Sequence, residues 1–181
     1  MNRAASDSTN NPGWTIIQHR IVDQSPSFAS SKWEDYKVGF GIPMSSEYWL
    51  GLEQMSQITS TGKWKLLMSY LYKNGKYAWM IFDNFKVHGE STGYKLHLGA
   101  VREVFNMKRN QYEMRFNSGM KFSTADKDND KHSLSCVTWD KGGWWFRDCA
   151  FYCANCIKEV NRDAENKQIA VQEINMAIME V

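Results

Sequence analysis

The 181-residue sequence predicts an α+β fold, and three observations carry that prediction. Between residues 14 and 98, apolar and polar side chains alternate at strand spacing, and turn residues punctuate the pattern. A few short stretches carry helix-capping residues and helix-stopping glycines instead. Regular periodicity fades into loops from 100 to 150, and a stretch rich in Glu, Asn, Ala and Ile then takes up helical spacing from Ile157 to Val181.

The elements follow in order. Gly13–Arg20 reads as a strand, with apolar Trp14 and Ile16 alternating with polar neighbours, and Ser25-Pro26-Ser27 as a turn. Ser30 or Ser31 is placed to cap a short helix through Lys32–Tyr36, with Gly39 or Gly41 ending it. Ser46–Leu52 begins another element, and Glu53–Thr59 suits one helical turn or two. Trp64–Tyr72 and Tyr77–Phe82 read as strands joined at Asn74-Gly75, residues that supply positive φ in tight hairpins. Phe85–His88 and Tyr94–Gly99 follow as shorter extended segments. Val171, Ile174, Ala177, Ile178 and Val181 share one helical face, which predicts a C-terminal amphipathic helix. The chain thus divides into a disordered polar lead-in (1–12), a domain (13–150) and a divergent helical tail (151–181).

Composition narrows the function classes. An apolar share of 43% supports a sizeable core, and 14% aromatics point to a Trp-rich one. The net charge is only +2 and the basic residues are scattered, so neither nucleic acid nor a membrane surface is an expected partner. No apolar run approaches the length of a membrane span, and the first twelve residues do not read as a signal peptide. All four cysteines fall between 136 and 156, a clustering that suggests local disulfides and an oxidising compartment. Cys153-Ala-Asn-Cys156 also admits a metal or redox reading, although Cys136 and Cys149 do not form a second close pair. His19, His88, His97 and His132 are dispersed with no nucleophile beside them, so no enzyme is expected.

The densest chemical signal is Asp126-Lys-Asp128-Asn-Asp130. Three carboxylates in five residues repel one another unless a cation or basic groups neutralise them. Hard oxygen ligands on a loop are what calcium requires, while a solvated polar turn is the competing reading. An EF-hand counted from Asp126 would need Gly at its sixth position and Glu at its twelfth. Those positions hold Lys131 and Val137, so the loop is not an EF-hand.

Ordered motifs then resemble the fibrinogen C-terminal domain, the module of ficolins, tachylectins and angiopoietins. Gly13-Trp14-Thr-Ile-Ile-Gln-His-Arg20 resembles G-W-T-V-I-Q-x-R, and Trp33-Glu-Asp-Tyr36-Lys-Val-Gly39-Phe-Gly41 resembles W-x-x-Y-x-x-G-F-G. Glu47-Tyr-Trp-Leu-Gly51-Leu, Tyr94-Lys-Leu-His-Leu-Gly99, Asn117–Thr124 and Gly142-Gly-Trp-Trp-Phe-Arg-Asp-Cys149 continue in family order. The match covers roughly 13–149.

The resemblance implies a twisted, mainly antiparallel sheet with a long calcium-binding loop region. It implies calcium held by the side chains of Asp128 and Asp130 and the carbonyls of His132 and Leu134, with Asp126 outside the direct shell. It implies a Cys136–Cys149 disulfide and a cis peptide between Asp148 and Cys149. In lectin members an acetyl-binding pocket flanks the calcium loop. Here its wall would be Phe146 and the Asp148–Cys149 peptide, with Asp140 where the family has an aromatic, Trp139 adjacent, and Ala150 in place of a His. The family's N-L-N-G-x-Y segment and its C-terminal strand have no counterpart visible in 151–181, so the tail helix is expected to cover a sheet edge or to oligomerise. The implied function is a secreted, calcium-dependent module that binds acetylated glycans or cell-surface glycoproteins in innate immunity. A protein-ligand domain of angiopoietin type, or a truncated variant lacking sugar binding, is the alternative.

Overall fold

A computed structural model describes residues 13–106, 113–149, 152–156, 160–162 and 168–181. The expected disordered lead-in at 1–12 lies outside the described residues, as does Ala150. Ten strands and four short helices are described: β1 (Thr15–Ile21), α1 (Ser27–Ser30), α2 (Trp33–Val38), β2 (Phe40–Gly41), β3 (Glu47–Trp49), α3 (Leu52–Ile58), β4 (Trp64–Tyr72), β5 (Tyr77–Phe82), β6 (Lys86–Val87), β7 (Leu96–His97), β8 (Val101–Phe105), α4 (Val137–Asp140), β9 (Val160–Arg162) and β10 (Gln168–Glu180). The main sheet runs β2-β3-β1-β10-β4-β5-β8, with β9 alongside β10 and every pairing antiparallel, and β6 and β7 form a separate ladder.

Side-chain alternation builds the hairpin at its centre. In β4, Leu66, Met68, Tyr70 and Tyr72 are buried, and Ala78, Met80 and Phe82 of β5 meet them across the sheet, with Met68 opposite Met80. The turn differs in detail from the expected one. Gly75 takes φ +80° while Asn74 stays at negative φ. The Gly75 N–H donates to the Tyr72 carbonyl at 2.8 Å, so Lys73 and Asn74 are the central residues and Gly75 supplies the left-handed step after them.

The C-terminal segment is a strand, not the amphipathic helix its spacing predicts. β10 lies between β1 and β4 and pairs with both along most of its length. The misreading has a physical origin. A bulge between Val171 and Glu173 slips the strand by one residue, so Val171 and Ile174 face the core three positions apart. Beyond the bulge Ile174, Met176 and Ile178 alternate into the core, and Ala177 is covered on the opposite face. A bulged strand with one buried alanine on its second face therefore imitates helical spacing. The same finding replaces the expected sheet-edge cover, because the tail supplies the central strand itself.

The rest of the core is aromatic. Tyr36, Trp49, Phe122, Trp144 and Trp145 interlock at tilted and edge-to-face angles with centroids 5.0–6.2 Å apart. Tyr36 anchors this cluster to the loop region. Its buried hydroxyl donates to the Phe28 carbonyl at 2.6 Å and accepts the Gly143 N–H at 2.9 Å. Burial raises its pKa well above the ordinary phenol value, so the hydroxyl stays a donor. α2 is started differently from the sequence expectation: Lys32 occupies the cap position in place of Ser30 or Ser31, while Gly39 ends the helix at φ +103° as expected.

A candidate calcium loop and its neighbouring face

The three acidic residues of the loop do different work. Asp126 Oδ1 accepts the backbone N–H of Trp33 at 2.9 Å and the Thr124 hydroxyl at 2.8 Å. It therefore caps α2 from 93 residues away, satisfying one of the orphan donors at the helix start. Burial opposes ionisation of Asp126. The hydrogen bonds from Thr124 and Trp33, with the charge of Lys32, outweigh it and hold the carboxyl below its ordinary pKa. Lys127 lies over the Trp33 ring at 3.7 Å, which ties the same stretch to α2 a second time.

Asp128 and Asp130 are turned to one another. Asp128 Oδ1 accepts the Asp130 N–H at 3.1 Å. Asp130 accepts the His132 N–H on one carboxylate oxygen at 2.8 Å and the Cys136 N–H on the other at 2.9 Å. Burial raises the pKa of Asp130, the two N–H groups oppose that rise, and the neighbouring charge of Asp128 adds to it. Asn129 between them is pinned, with its N–H on the Ser123 hydroxyl at 2.9 Å and its side-chain amide on the Phe122 carbonyl at 2.8 Å.

The donor set fits calcium. It consists of hard oxygens on a preformed loop, and a divalent cation would relieve the repulsion between the Asp128 and Asp130 carboxylates. The Leu134 carbonyl faces the His132 ring, with Nδ1 at 2.8 Å, and keeps a second lone pair for a cation. Among the described residues no three His, Cys, Asp or Glu side chains converge, so main-chain carbonyls such as those of His132 and Leu134 have to complete any shell. The zinc reading of the cysteines gives way to disulfides: Cys136–Cys149 closes the loop region, and Cys153–Cys156 closes the C-x-x-C turn.

The residues expected to wall a ligand pocket separate into two groups. Trp139, on α4, is 55% exposed and meets the His132 ring edge-on at 5.2 Å. Asp148 is exposed, 3.8 Å from His132 Nε2, and Cys149 donates its N–H to Cys136 Sγ at 2.8 Å. The Asp148–Cys149 peptide is trans, and Cys149 turns the chain at φ +53° instead. Asp140 closes α4 half-buried beside this corner. Phe146 does not join it: at 0% exposure its ring belongs to the core and presents no surface to a ligand.

Three buried polar residues that sequence reading passed over hold this face in place. Arg20 donates from Nη1 to the carbonyls of Ala154 at 2.7 Å and Cys156 at 2.5 Å. Asn155 donates to the Gly143 carbonyl at 2.9 Å and accepts from Gln18 at 3.4 Å. The C-x-x-C turn is thereby joined to β1 on one side and to the Gly142-Gly143 backbone on the other. Burying unpaired polar groups is costly, so these bonds fix a single arrangement. Their long sequence separations, 134 to 137 residues for the β1 contacts, leave no local signal.

Comparison with known proteins agrees with this architecture. The family model for the C-terminal globular domain of fibrinogen beta and gamma chains matches residues 5–173, farther toward the C-terminus than the sequence motifs reach. Angiopoietin-related protein 6 of Mus musculus is 38% identical over 138 residues, covering 76% of this chain and 28% of that protein. Angiopoietin-2 of Mus musculus is 38% identical over 141 residues, again 76% of this chain and 26% of its own length. The chain thus spans under a third of these relatives. The fibrinogen-like globe domain of human ANGPTL6 superposes with a TM-score of 0.80 at 29% identity, covering 96% of this chain and 81% of that one. A sheet centred on β10, an aromatic core and an acidic loop bonded to the start of the Cys136–Cys149 bridge meet in one fold, and the chain belongs to the family of fibrinogen C-terminal globular domains.

Proposed function

We propose that this chain is a non-enzymatic, extracellular recognition domain whose partner-facing loop is ordered by calcium, and that its partner is a protein or glycoprotein surface. The observation that carries the reading is the pairing of Asp128 with Asp130 beside an open corner of Trp139, His132 and Asp148. Asp128 and Asp130 side chains, with the His132 and Leu134 carbonyls, would hold the ion. The ion supplies charge that stiffens the loop, while the exposed corner makes the contact. The two disulfides favour an oxidising, extracellular setting. Phe146 in the core and Asp140 at the aromatic position of lectin members favour a broad contact over an enclosed acetyl pocket. Titrating calcium into the wild type by calorimetry is expected to give a one-site heat that Asp128→Ala weakens by tenfold or more (about 1.4 kcal/mol). Equal heats from the two proteins remove the assignment.

One observation favours a second reading, calcium-dependent binding of acetylated glycans in innate immunity. Trp139 offers an exposed aromatic face next to the cation loop. That reading requires retention on an N-acetylated resin with elution by EDTA or N-acetylglucosamine, and a protein that flows through sinks it.

A further inference from the structure

The outer face of the main sheet has a composition that does not suit solvent. Register sets Ile16, Ala177, Leu67 and Ile81 side by side in one row across β1, β10, β4 and β5. In the next row Trp79 stands opposite Phe105, and their rings stack at 5.9 Å. These side chains point away from the core, because the alternating positions Met68, Met80 and Phe82 point into it. An antiparallel sheet with one solvated face ordinarily alternates apolar-in with polar-out, and here the outward positions are apolar as well. The helices do not cover them. The buried side chains of α1 to α4 join the core cluster that holds Met68 and Met80, while Leu67, Trp79 and Ile81 lie outside that cluster. At the rim Ile16 is 40% exposed and Phe105 47%.

We propose that this face pairs with the same face of a second copy of the chain, sheet against sheet. The charges at its two ends select that occupant. Along β10 the outward positions run from Glu173 to Met179, and Lys65 of β4 stands opposite Met179. One end of the face is therefore acidic and the other basic. A two-fold axis lying across the strands reverses the second copy, so each Glu173 end lies over the partner copy's basic end and both attractions form at once. An axis along the strands would set like end over like end, so charge fixes the orientation as well as the occupant.

Size sets the strength. At about 3.3 Å per residue and 4.8 Å between strands, the face from β1 to β8 and from Glu173 to Met179 measures roughly 20 Å by 19 Å between backbone axes. Interlocking side chains bury more than that flat outline, which places the pair among small interfaces of under about 1,200 Å² in total, weak and concentration-dependent. The acidic loop lies on the helix side of the core, since Asp126 bonds to the start of α2. Pairing leaves both loops facing outward. Resting on the function proposed above, such a dimer bridges two partner surfaces and gains avidity from their joint engagement.

The test is sedimentation velocity of the full, disulfide-intact chain over a hundredfold range of concentration. The mass is expected to rise with concentration and to level at twice that of the chain. Leu67→Arg and, separately, Ile81→Lys should weaken association tenfold or more. Ile42→Glu, at an exposed apolar position by the far edge of the sheet, should leave it unchanged. Lys65→Glu is expected to weaken it about threefold, and adding Glu173→Lys to restore it. Circular dichroism checks that each variant is folded. A dimer that forms in a protein showing no calcium heat supports the pairing and removes only the calcium reading. A monomer at every concentration, growth beyond the dimer, association indifferent to Leu67→Arg, or a charge swap that restores nothing overturns the proposal.

Discussion

Asp126 and Asp130 stand four positions apart in one acidic run, yet one starts a helix and the other is turned toward a neighbouring carboxylate. The difference is testable by substitution. Asp126→Ala removes the cap on α2 and is expected to cost about 1 kcal/mol of stability while leaving the calcium heat in place. Asp128→Ala is expected to do the reverse, since its carboxylate bonds within the acidic loop, to the Asp130 N–H, and not to a helix. Urea denaturation beside calorimetry separates the two, and a calcium heat lost in Asp126→Ala would refute the division of labour. Gly143 makes a sharper case. A Cβ there would lie 2.6 Å from the Tyr36 ring and 2.8 Å from Phe122. Gly143→Ala is therefore expected to cost about 1–3 kcal/mol, because neither packed ring can withdraw.

β10 is the element whose identity decides most. Read as a helix, the tail puts Met176 on its polar side, where truncation is nearly neutral. In the sheet Met176 is 0% exposed between β1 and β4, so Met176→Ala is expected to cost about 2–5 kcal/mol in urea denaturation. α2 and α3 are tied to their surroundings by carboxylates. Hydrogen bonding from Lys37, then from Trp33, lowers the pKa of Glu90; bonds from Tyr94 and Gln57 do the same for Glu53. A carboxyl depressed in the folded state stabilises above its unfolded pKa, and that contribution is lost as pH falls through the lower folded value. Stability is thus expected to decline as pH drops below the ordinary carboxyl value of 4.5. Glu90→Gln should flatten that decline, and a pH profile identical to wild type would count against the role of Glu90.

The two ends of the described chain meet in the sheet, since β1 and β10 pair from Thr15↔Ile178 to Ile21↔Glu173. Folding therefore waits on contacts more than 150 residues apart. Deleting 168–181 would expose facing edges of β1 and β4 and is expected to abolish cooperative unfolding, as followed by circular dichroism. The Cys136–Cys149 bridge acts more locally. Closing a loop of this length stabilises by about 3 kcal/mol in the chain-entropy account, so its Ser pair should unfold at lower denaturant without losing the sheet.

Local chemistry was enough to mark the hairpin of β4 and β5, the glycine that stops α2 and the cluster of carboxylates, because each is decided by neighbours along the chain. Family motifs added the Cys136–Cys149 pairing and the proposed roles of Asp128 and Asp130. The nature of β10 escaped because a one-residue bulge gives a strand the spacing of a helix, and only its partners on both sides distinguish the two. The capping role of Asp126 and the Arg20 and Asn155 contacts escaped for a related reason. They are relations between segments far apart in sequence, and tertiary structure alone sets the distances that make them interactions.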